Sequence, residues 1–388
     1  MIFVPFDLEA AMAYITKSFN FFALLLASVA QVGAQTVRPE VVASGLQNPW
    51  AVAFLPEGRF LVTERPGRLR VVEANGQLGA ALKGVPAVAA DGQGGLLDLM
   101  LDADFARNRT LYFCFAEPGL VGNSTALARA HLSDDRTRLD DVKVIFSQKP
   151  KVLSSAHFGC RIVESQTGGK PDGLLFLSLG ERFVRKDDAQ KLDNHLGKII
   201  RIHKDGRVPV DNPFVGRTGA LPEIWSYGHR NVQGATLAPD GLLWTHEHGP
   251  QGGDEINLPQ PGRNYGWPVI TYGENYGGGK IGDGITAKVG MEQPLHYWVP
   301  SIAPSGMAFL TSERYGRAWV GDLFVGSLKF GYLDRIELSA PFKGKVLREH
   351  KLLTDLGARI RDVRQGPDGL LYVLTDEARG RLIRLLPN

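Results

Sequence analysis

Cysteine is nearly absent, with Cys114 and Cys160 the only two in 388 residues. The fold therefore cannot rest on a disulfide framework. Nor does it need one, because 44% hydrophobic and 22% charged residues are enough to bury a core without staples. An excess of one charge is also missing: 44 Lys and Arg face 41 Asp and Glu, with the basic residues scattered along the chain. That argues against a nucleic-acid surface. The apolar run at residues 21–29 is too short to span a bilayer of about 30 Å. The apolar periodicity expected of amphipathic helices, 3.6 residues, is lacking in the repeated segments described below.

What the sequence has in quantity is glycine and proline, 46 and 23 residues, as a chain of many short strands with frequent turns requires. A weak unit recurs: an apolar segment, a turn rich in Pro, Asp and Gly, then a second alternating strand. It begins at Pro49, Gly95, Cys160, Val232, Gly306 and Ile360. The turn aspartates Asp104, Asp172 and Asp240 are 68 residues apart (172−104 and 240−172), and Asp368 lies 128 beyond (368−240). Such a period suits a four-stranded blade with its loops, and six radial blades make an all-β, six-bladed propeller of antiparallel sheets. A pair of packed sheets is the alternative, but sandwiches rarely carry so long a repeat. The final strand, RLIRLLPN, is expected to complete a blade begun near the mature N-terminus. The stretch from Gly273, GENYGGGKIGDG, is read as a long loop on one blade, since long loops in compact folds are usually functional.

The N-terminus reads as an export signal over residues 1–34. Asp7 and Glu9 suit such a signal poorly, so Met12 is the better start: Lys17 supplies positive charge, the apolar run follows, and Val32-Gly33-Ala34 resembles a cleavage site. A membrane anchor or a buried helix is the competing reading, but Arg, Pro and Glu follow directly. The expected product is a periplasmic or secreted single propeller domain over residues 35–388, without a stable membrane anchor, as a monomer or dimer. In an oxidising compartment Cys114 and Cys160 are compatible with one disulfide. Both also sit in apolar strand-like runs, where cysteine commonly serves as a small buried hydrophobe.

Loops on one face of a propeller converge near its axis, so polar residues beside the repeats are the candidates for chemistry. The densest group is His229-Arg230-Asn231, just before a strand. An arginine fork suits a carboxylate or quinone oxygen, and an Asn amide both donates and accepts; a loop salt bridge with a capped turn is the plainer reading. Residues 245–268 carry acidic side chains, turn carbonyls and glycines, the ingredients of a flexible oxygen-ligated Ca²⁺ site, though without EF-hand spacing. His246 and His248 point to opposite faces of a strand, a poor zinc pair. His157, at the start of a blade, is a candidate general base or a structural histidine. Gln93, Lys329, Arg359 and Arg361 occupy comparable pre-strand or loop positions and together imply an anionic ligand, although each cation alone is more commonly a solvated surface group.

Taken together, DGQGGLLD, SSAHFGCR, SYGHRNVQG, HGPQGGDEINLPQPGRNYGWP, WVPSIAPSG, SLKFG and RIRDVRQGPDG resemble, in order, the soluble glucose and aldose sugar dehydrogenases that use pyrroloquinoline quinone (PQQ). The resemblance runs from about Gly45 to Leu386. It implies oxidation of an aldose at the anomeric carbon to the lactone, with electrons passed to an external quinone, cytochrome or dye. It further implies His157 as base and Arg230 at the quinone oxygen, with Asn231 nearby. Gln93, Lys329, Arg359 and Arg361 would hold PQQ, and Trp298 would flank the cofactor or sugar. The carbonyls of Gly249 and Pro250 would bind Ca²⁺, with a second Ca²⁺ near Glu255 and Tyr265. Glu181 stands where glucose-specific relatives tend to carry an aspartate that orients the histidine, and the trimmed loops resemble the broad-specificity aldose branch. Two alternatives remain: a non-catalytic propeller binding a protein or glycan, and a calcium-dependent lactonase, which would need acidic and Asn ligands around the axis instead of cations.

Overall fold

Side chains alternating at every second residue, interrupted by glycine-rich turns, fold each repeat into an antiparallel hairpin. The computed structural model describes residues 36–388, so the export signal, the Met12 start and the cleavage point lie outside the described residues. Strand β1 (Val37–Leu46) comes first, followed by a blade of β2 (Pro49–Phe54), β3 (Phe60–Glu64), β4 (Arg68–Val72) and β5 (Leu78–Ala81). The second blade is β6 (Leu96–Leu101), β7 (Thr110–Pro118), β8 (Asn123–Leu132) and β9 (Leu139–Ser147). The third is β10 (Gly159–Thr167), β11 (Lys170–Leu179), β12 (Lys198–His203) and β13 (Ile224–Tyr227). The fourth is β14 (Val232–Leu237), β15 (Leu243–Glu247), β16 (Asp254–Asn257) and β17 (His296–Trp298). The fifth is β18 (Pro304–Phe309), β19 (Leu323–Ser327), β20 (Leu333–Ala340) and β21 (Lys343–Leu352). The last joins β22 (Ile360–Gln365), β23 (Leu371–Thr375) and β24 (Gly380–Pro387) to β1.

The six sequence repeats coincide with the first two strands of the six blades. The expected closure is also present, as β1 pairs antiparallel with β24 from Val37↔Pro387 to Leu46↔Gly380. One turn differs from its sequence reading. Asp172 lies within β11, and the chain reverses at Gly168-Gly169 (φ 59° and 72°), between the paired Thr167 and Lys170. A two-residue hairpin needs positive φ at both central positions, which a Gly-Gly pair adopts at least cost. The Asp172 carboxylate accepts from Ser165 and Thr167 instead, bracing the strands beside the turn.

Val37–Pro387 forms one unit whose apolar core fills the spaces between blades. Near the axis the innermost strands are joined by charge. Arg161 of β10 places Nη1 3.0 Å from Asp98 of β6 and 2.9 Å from Asp362 of β22. Its Nε donates to the Gln233 carbonyl of β14. Arg364 pairs with both aspartates, at 2.7 and 3.0 Å, and Asp362 also accepts from Val52 N–H of β2. Among the described residues no helix is long and apolar enough to cross a membrane.

The two cysteines form a disulfide between β7 and β10, with Cα atoms 5.8 Å apart. The bond links adjacent blades and closes a loop of 46 residues in sequence separation. Removing it frees the unfolded chain, so the Cys114→Ala/Cys160→Ala protein is expected to lose about 2–4 kcal/mol of stability. Denaturant titration of both proteins tests this; identical midpoints would show that packing between the blades makes the bond redundant.

Candidate active site

Two kinds of chain segment meet at one end of the blades: the starts of the innermost strands and the exits of the strands beside them. Between them lies a cavity of about 630 Å³. Trp50, Gly159, Asn231, Ala303 and Arg361 come from the first kind of segment, and Arg65, His248, Lys329 and Asp376 from the second. Gln93, Gln233 and Arg359 also line it. The lining is markedly cationic. Arg65, Lys329, Arg359 and Arg361 face a single carboxylate, Asp376, which pairs with Arg361 at 2.7 Å and Arg359 at 3.2 Å. Burial alone would raise the Asp376 carboxyl, but Arg361, Arg359 and Arg65 outweigh it and hold it below the usual range. Arg361 Nε is buried without a hydrogen-bond partner. The nearest aromatic face to Lys329 is Phe330, 5.2 Å away.

His157 and Arg230 adjoin the cavity, each next in sequence to a lining residue, Phe158 or Asn231. His157 is buried, with φ 52°, a conformation costly for a non-glycine residue and characteristic of functional sites. Several neighbours impose it. Gln93 Oε1 accepts from the His157 N–H at 2.8 Å, and Arg182 N–H donates to the His157 carbonyl at 3.3 Å. Gly180 permits the close approach, since a Cβ there would lie 2.1 Å from that carbonyl oxygen. The ring places Nδ1 3.0 Å from Glu181 Oε1. A carboxylate only accepts, so the proton sits on Nδ1 and Nε2 keeps its lone pair. Burial lowers the His157 pKa, and Arg230 and Arg182 lower it further against the opposing pull of Glu181. The imidazole is thus neutral and proton-accepting below the ordinary histidine range.

Arg230 is buried and donates Nη1 to the carbonyls of His248 (3.0 Å) and Gly249 (2.7 Å) and Nη2 to Tyr276 Oη (3.3 Å). Its own carbonyl accepts from Glu181 N–H at 3.0 Å, tying the two candidate groups together. Asn231 Oδ1 accepts from Gly159 N–H and Gln233 Nε2, turning its amide nitrogen into the group left for a ligand. His248 donates Nε2 to the Pro304 carbonyl at 2.7 Å, and burial pushes its pKa down to about 3.

A second, very small space of about 10 Å³, on the order of one water, is lined by Arg230, Glu247, Gly249, Glu255, Tyr265 and Thr271. Burial and the neighbouring Glu247 raise the Glu255 pKa, the condition that a bound cation would relieve. Three of the four expected metal residues therefore meet here, while Pro250 does not line the space. The Tyr265 hydroxyl is engaged by the Leu258 carbonyl and Gln260 N–H, leaving only its main-chain oxygen for a metal. Asp254, which accepts from Gly249 N–H, Ser301 Oγ and the amides of Ile302 and Ala303, fixes the Gly249 turn against the fifth blade.

Comparison with known proteins shows the family. A family model described as glucose/sorbosone dehydrogenase matches residues 46–384. The chain belongs to the glucose/sorbosone dehydrogenase family. Aldose sugar dehydrogenase YliI of Escherichia coli (strain K12) is 46% identical over 369 residues, spanning 94% of this chain and 96% of that protein. The crystal structure of the soluble aldose sugar dehydrogenase from Escherichia coli, in its apo-form, has a TM-score of 0.85 at 46% identity, covering 91% of this chain and all (100%) of that one. The PQQ-bound aldose sugar dehydrogenase of Streptomyces coelicolor has a TM-score of 0.73 at 28% identity, covering 91% and 98%. The protein is accordingly an oxidoreductase, a sugar dehydrogenase, and the reading as a non-catalytic propeller is set aside.

Of the residues singled out from the sequence, Gln93, Asn231, Lys329, Arg359 and Arg361 line the cavity of this dehydrogenase, and His157 and Arg230 adjoin it. Trp298 is not among the lining residues. It is buried in the core with Trp244, Ile256 and Ile302, edge-on to His296. The tryptophan that does line the cavity is Trp50, 4.3 Å beneath the Arg161 guanidinium of the axial network. Trp50 and three residues at second-strand exits were not expected in the cavity: Arg65, His248, which the sequence offered only as half of a poor zinc pair, and Asp376. A signal for the last three exists: each directly follows the second strand of its blade, a place equivalent to that of Lys329.

Proposed function

We propose that this dehydrogenase is an exported, single-propeller enzyme that oxidises aldoses at the anomeric carbon to the lactone, using PQQ and Ca²⁺ and an external electron acceptor. The observation that carries the cofactor reading is the cationic cavity: four guanidinium or ammonium groups opposed by one carboxylate suit a flat tricarboxylate. Arg361, with a buried unpartnered Nε, Arg359, Lys329 and Arg65 would hold it, and the Asn231 amide and Gln93 would bound it. When bound, PQQ accepts a hydride and Ca²⁺ polarises it as a Lewis acid.

The chain's own residues supply the rest. His157 Nε2 takes the proton of the anomeric hydroxyl as C1–H leaves with its electron pair, so C1–O becomes a carbonyl and the pyranose a lactone. Glu181 fixes the ring through Nδ1 and stabilises the imidazolium that forms. Arg230 offers a positive charge next to the reacting groups. The Gly249 carbonyl accepts from Arg230 Nη1, so Ca²⁺ on that oxygen would replace a guanidinium hydrogen bond and return that donor to the ligand. Glu247 and Glu255 supply the hard oxygens that a further Ca²⁺ favours. Export is supported by the signal-like residues 1–34 and the disulfide.

Reconstitution is the test. Purified apo-protein is expected to bind PQQ with Ca²⁺ present, read by calorimetry, and then to reduce a redox dye with several aldoses. Exhaustive EGTA treatment should abolish the turnover. Undiminished PQQ-dependent turnover after EGTA would remove Ca²⁺ from the mechanism, and absence of PQQ binding would remove the cofactor.

A further inference from the structure

Two large aromatic side chains stand exposed beside His157 and Arg230, outside the apolar core. Phe183 follows β11 in the third blade and is 48% exposed; Tyr276 belongs to the long loop between β16 and β17 of the fourth blade and is 62% exposed. Phe183 meets the His157 ring edge-on, with centroids 5.2 Å apart and planes at 87°. Tyr276 accepts a hydrogen bond from Arg230 and lies 5.9 Å from its guanidinium carbon. The two rings approach each other at 6.4 Å and 37°. Each candidate catalytic group thus carries one aromatic ring, and the rings form a pair across two blades.

The backbone is strained to hold Phe183 there. Phe183 (φ 61°) and Arg182 (φ 66°) both occupy the left-handed region, at a cost that persists only where surroundings dictate it. Arg182 is fully buried and donates to the Ala156 carbonyl (3.0 Å), to Asn123 O (3.1 Å) and Oδ1 (2.7 Å), and to the Ser154 carbonyl, while its guanidinium lies 3.7 Å from the Phe158 ring. Glu181 divides its two oxygens between neighbours: Oε1 faces His157 Nδ1, and Oε2 accepts from Phe183 N–H. One carboxylate therefore sets both the histidine and the aromatic ring. Such investment in a half-exposed phenylalanine has no return in core packing, and exposed apolar surface held beside a site marks binding.

We infer that Phe183 and Tyr276 form an aromatic wall against which the C–H face of an aldopyranose packs, presenting its anomeric hydroxyl to His157. An aromatic face carries partial negative charge and attracts the weakly positive C–H bonds of a sugar ring, while the hydroxyl rim stays in water. Selection then rests on the sugar's apolar face more than on its individual hydroxyls, which suits acceptance of several aldoses. This inference rests on the proposed aldose reaction, and its test separates the two.

The experiment compares parent, Phe183→Ala, Phe183→Tyr, Tyr276→Ala and Tyr276→Phe, each reconstituted with PQQ and Ca²⁺. Saturation kinetics with glucose and xylose are paired with saturation-transfer NMR of sugar binding. Both alanine variants should raise KM about tenfold, corresponding to about 1.4 kcal/mol of lost contact, with PQQ affinity and thermal midpoint at parental values. Phe183→Tyr and Tyr276→Phe should restore parental KM, which a purely structural role would not predict. Should Phe183→Ala fail to fold, Tyr276→Ala, in an exposed loop, carries the comparison. Unchanged KM and sugar binding in the alanine variants, or a loss confined to PQQ affinity, overturns the wall while leaving the reaction intact. Sugar binding by the parent that both alanines weaken, without turnover, retains the wall and overturns the reaction. A parent that neither binds nor oxidises sugar overturns both.

Discussion

Replacing His157 with alanine is expected to lower kcat by about 10²- to 10⁴-fold, the usual contribution of a positioned general base, while PQQ affinity stays near parental. Its side chain is held by Glu181 and does not line the cationic cavity, so removing it leaves the groups proposed to bind the cofactor in place. Arg230→Ala is expected to differ. The guanidinium sits on the Gly249 carbonyl beside the candidate Ca²⁺ position, so its loss should weaken both cofactor binding and turnover. The pH dependence has a definite sign. Burial lowers the His157 pKa, so the base stays deprotonated to below the ordinary value of about 6.5, and the acid limb of kcat/KM should lie below it. Glu181 pulls in the opposite direction, and Glu181→Gln should therefore move that limb to still lower pH. A PQQ titration followed by saturation kinetics across pH decides the matter. Parental kcat in His157→Ala, or loss of PQQ in a normally folded variant, would make His157 a structural residue.

The largest expected loss of stability follows from Arg161→Met. Asp98 and Asp362 are both buried, and Arg161 lies between them with Nη1 3.0 and 2.9 Å from their oxygens. Removing one partner of a buried charge network leaves the others uncompensated, at about 3–5 kcal/mol. Arg364 remains, and Asp362 and Asp98 hold it firmly charged despite its partial burial, but the Gln233 carbonyl loses the Arg161 Nε donor. Pairing Arg161→Met with Asp98→Asn, which removes the surplus carboxylate and leaves Arg364 paired with Asp362, should recover part of the loss. Thermal melting of the single and double variants measures both effects. A single variant with the parental midpoint would mean that Arg364 alone neutralises the axis.

The architecture is legible in the sequence because each blade repeats a local pattern, and a hairpin is a local structure. Gly168-Gly169 and the Asp240 turn need nothing distant to form. The cationic residues Lys329, Arg359 and Arg361 are legible for a related reason: they stand at the ends of strands where a propeller gathers its loops. What escapes the sequence is contact between blades. Val52 N–H meets Asp362 Oδ2 across 310 residues, and Cys114 meets Cys160 because radial packing aligns β7 with β10. Neither pairing has a periodic signature. Trp298 shows the same limit from the other side, since a tryptophan beside a suggestive loop reads alike whether it lines a cavity or, as here, fills the core between blades. Trp50 carries no local signal at all, because its place depends on Arg161 from another blade.

The pairing of β1 with β24 also sets an order on assembly. β1 is the first strand of the described chain to emerge from the ribosome, yet its strand partner among the described residues, Gly380–Pro387, is synthesised more than three hundred residues later. Until then β1 is a free edge, able to pair with any other exposed strand. The ring cannot lock from its N-terminal side as it is made. Completion waits on the final strand, so a ribosome that stops before Gly380 releases a chain with nearly all of its side chains and no closed ring to hold them.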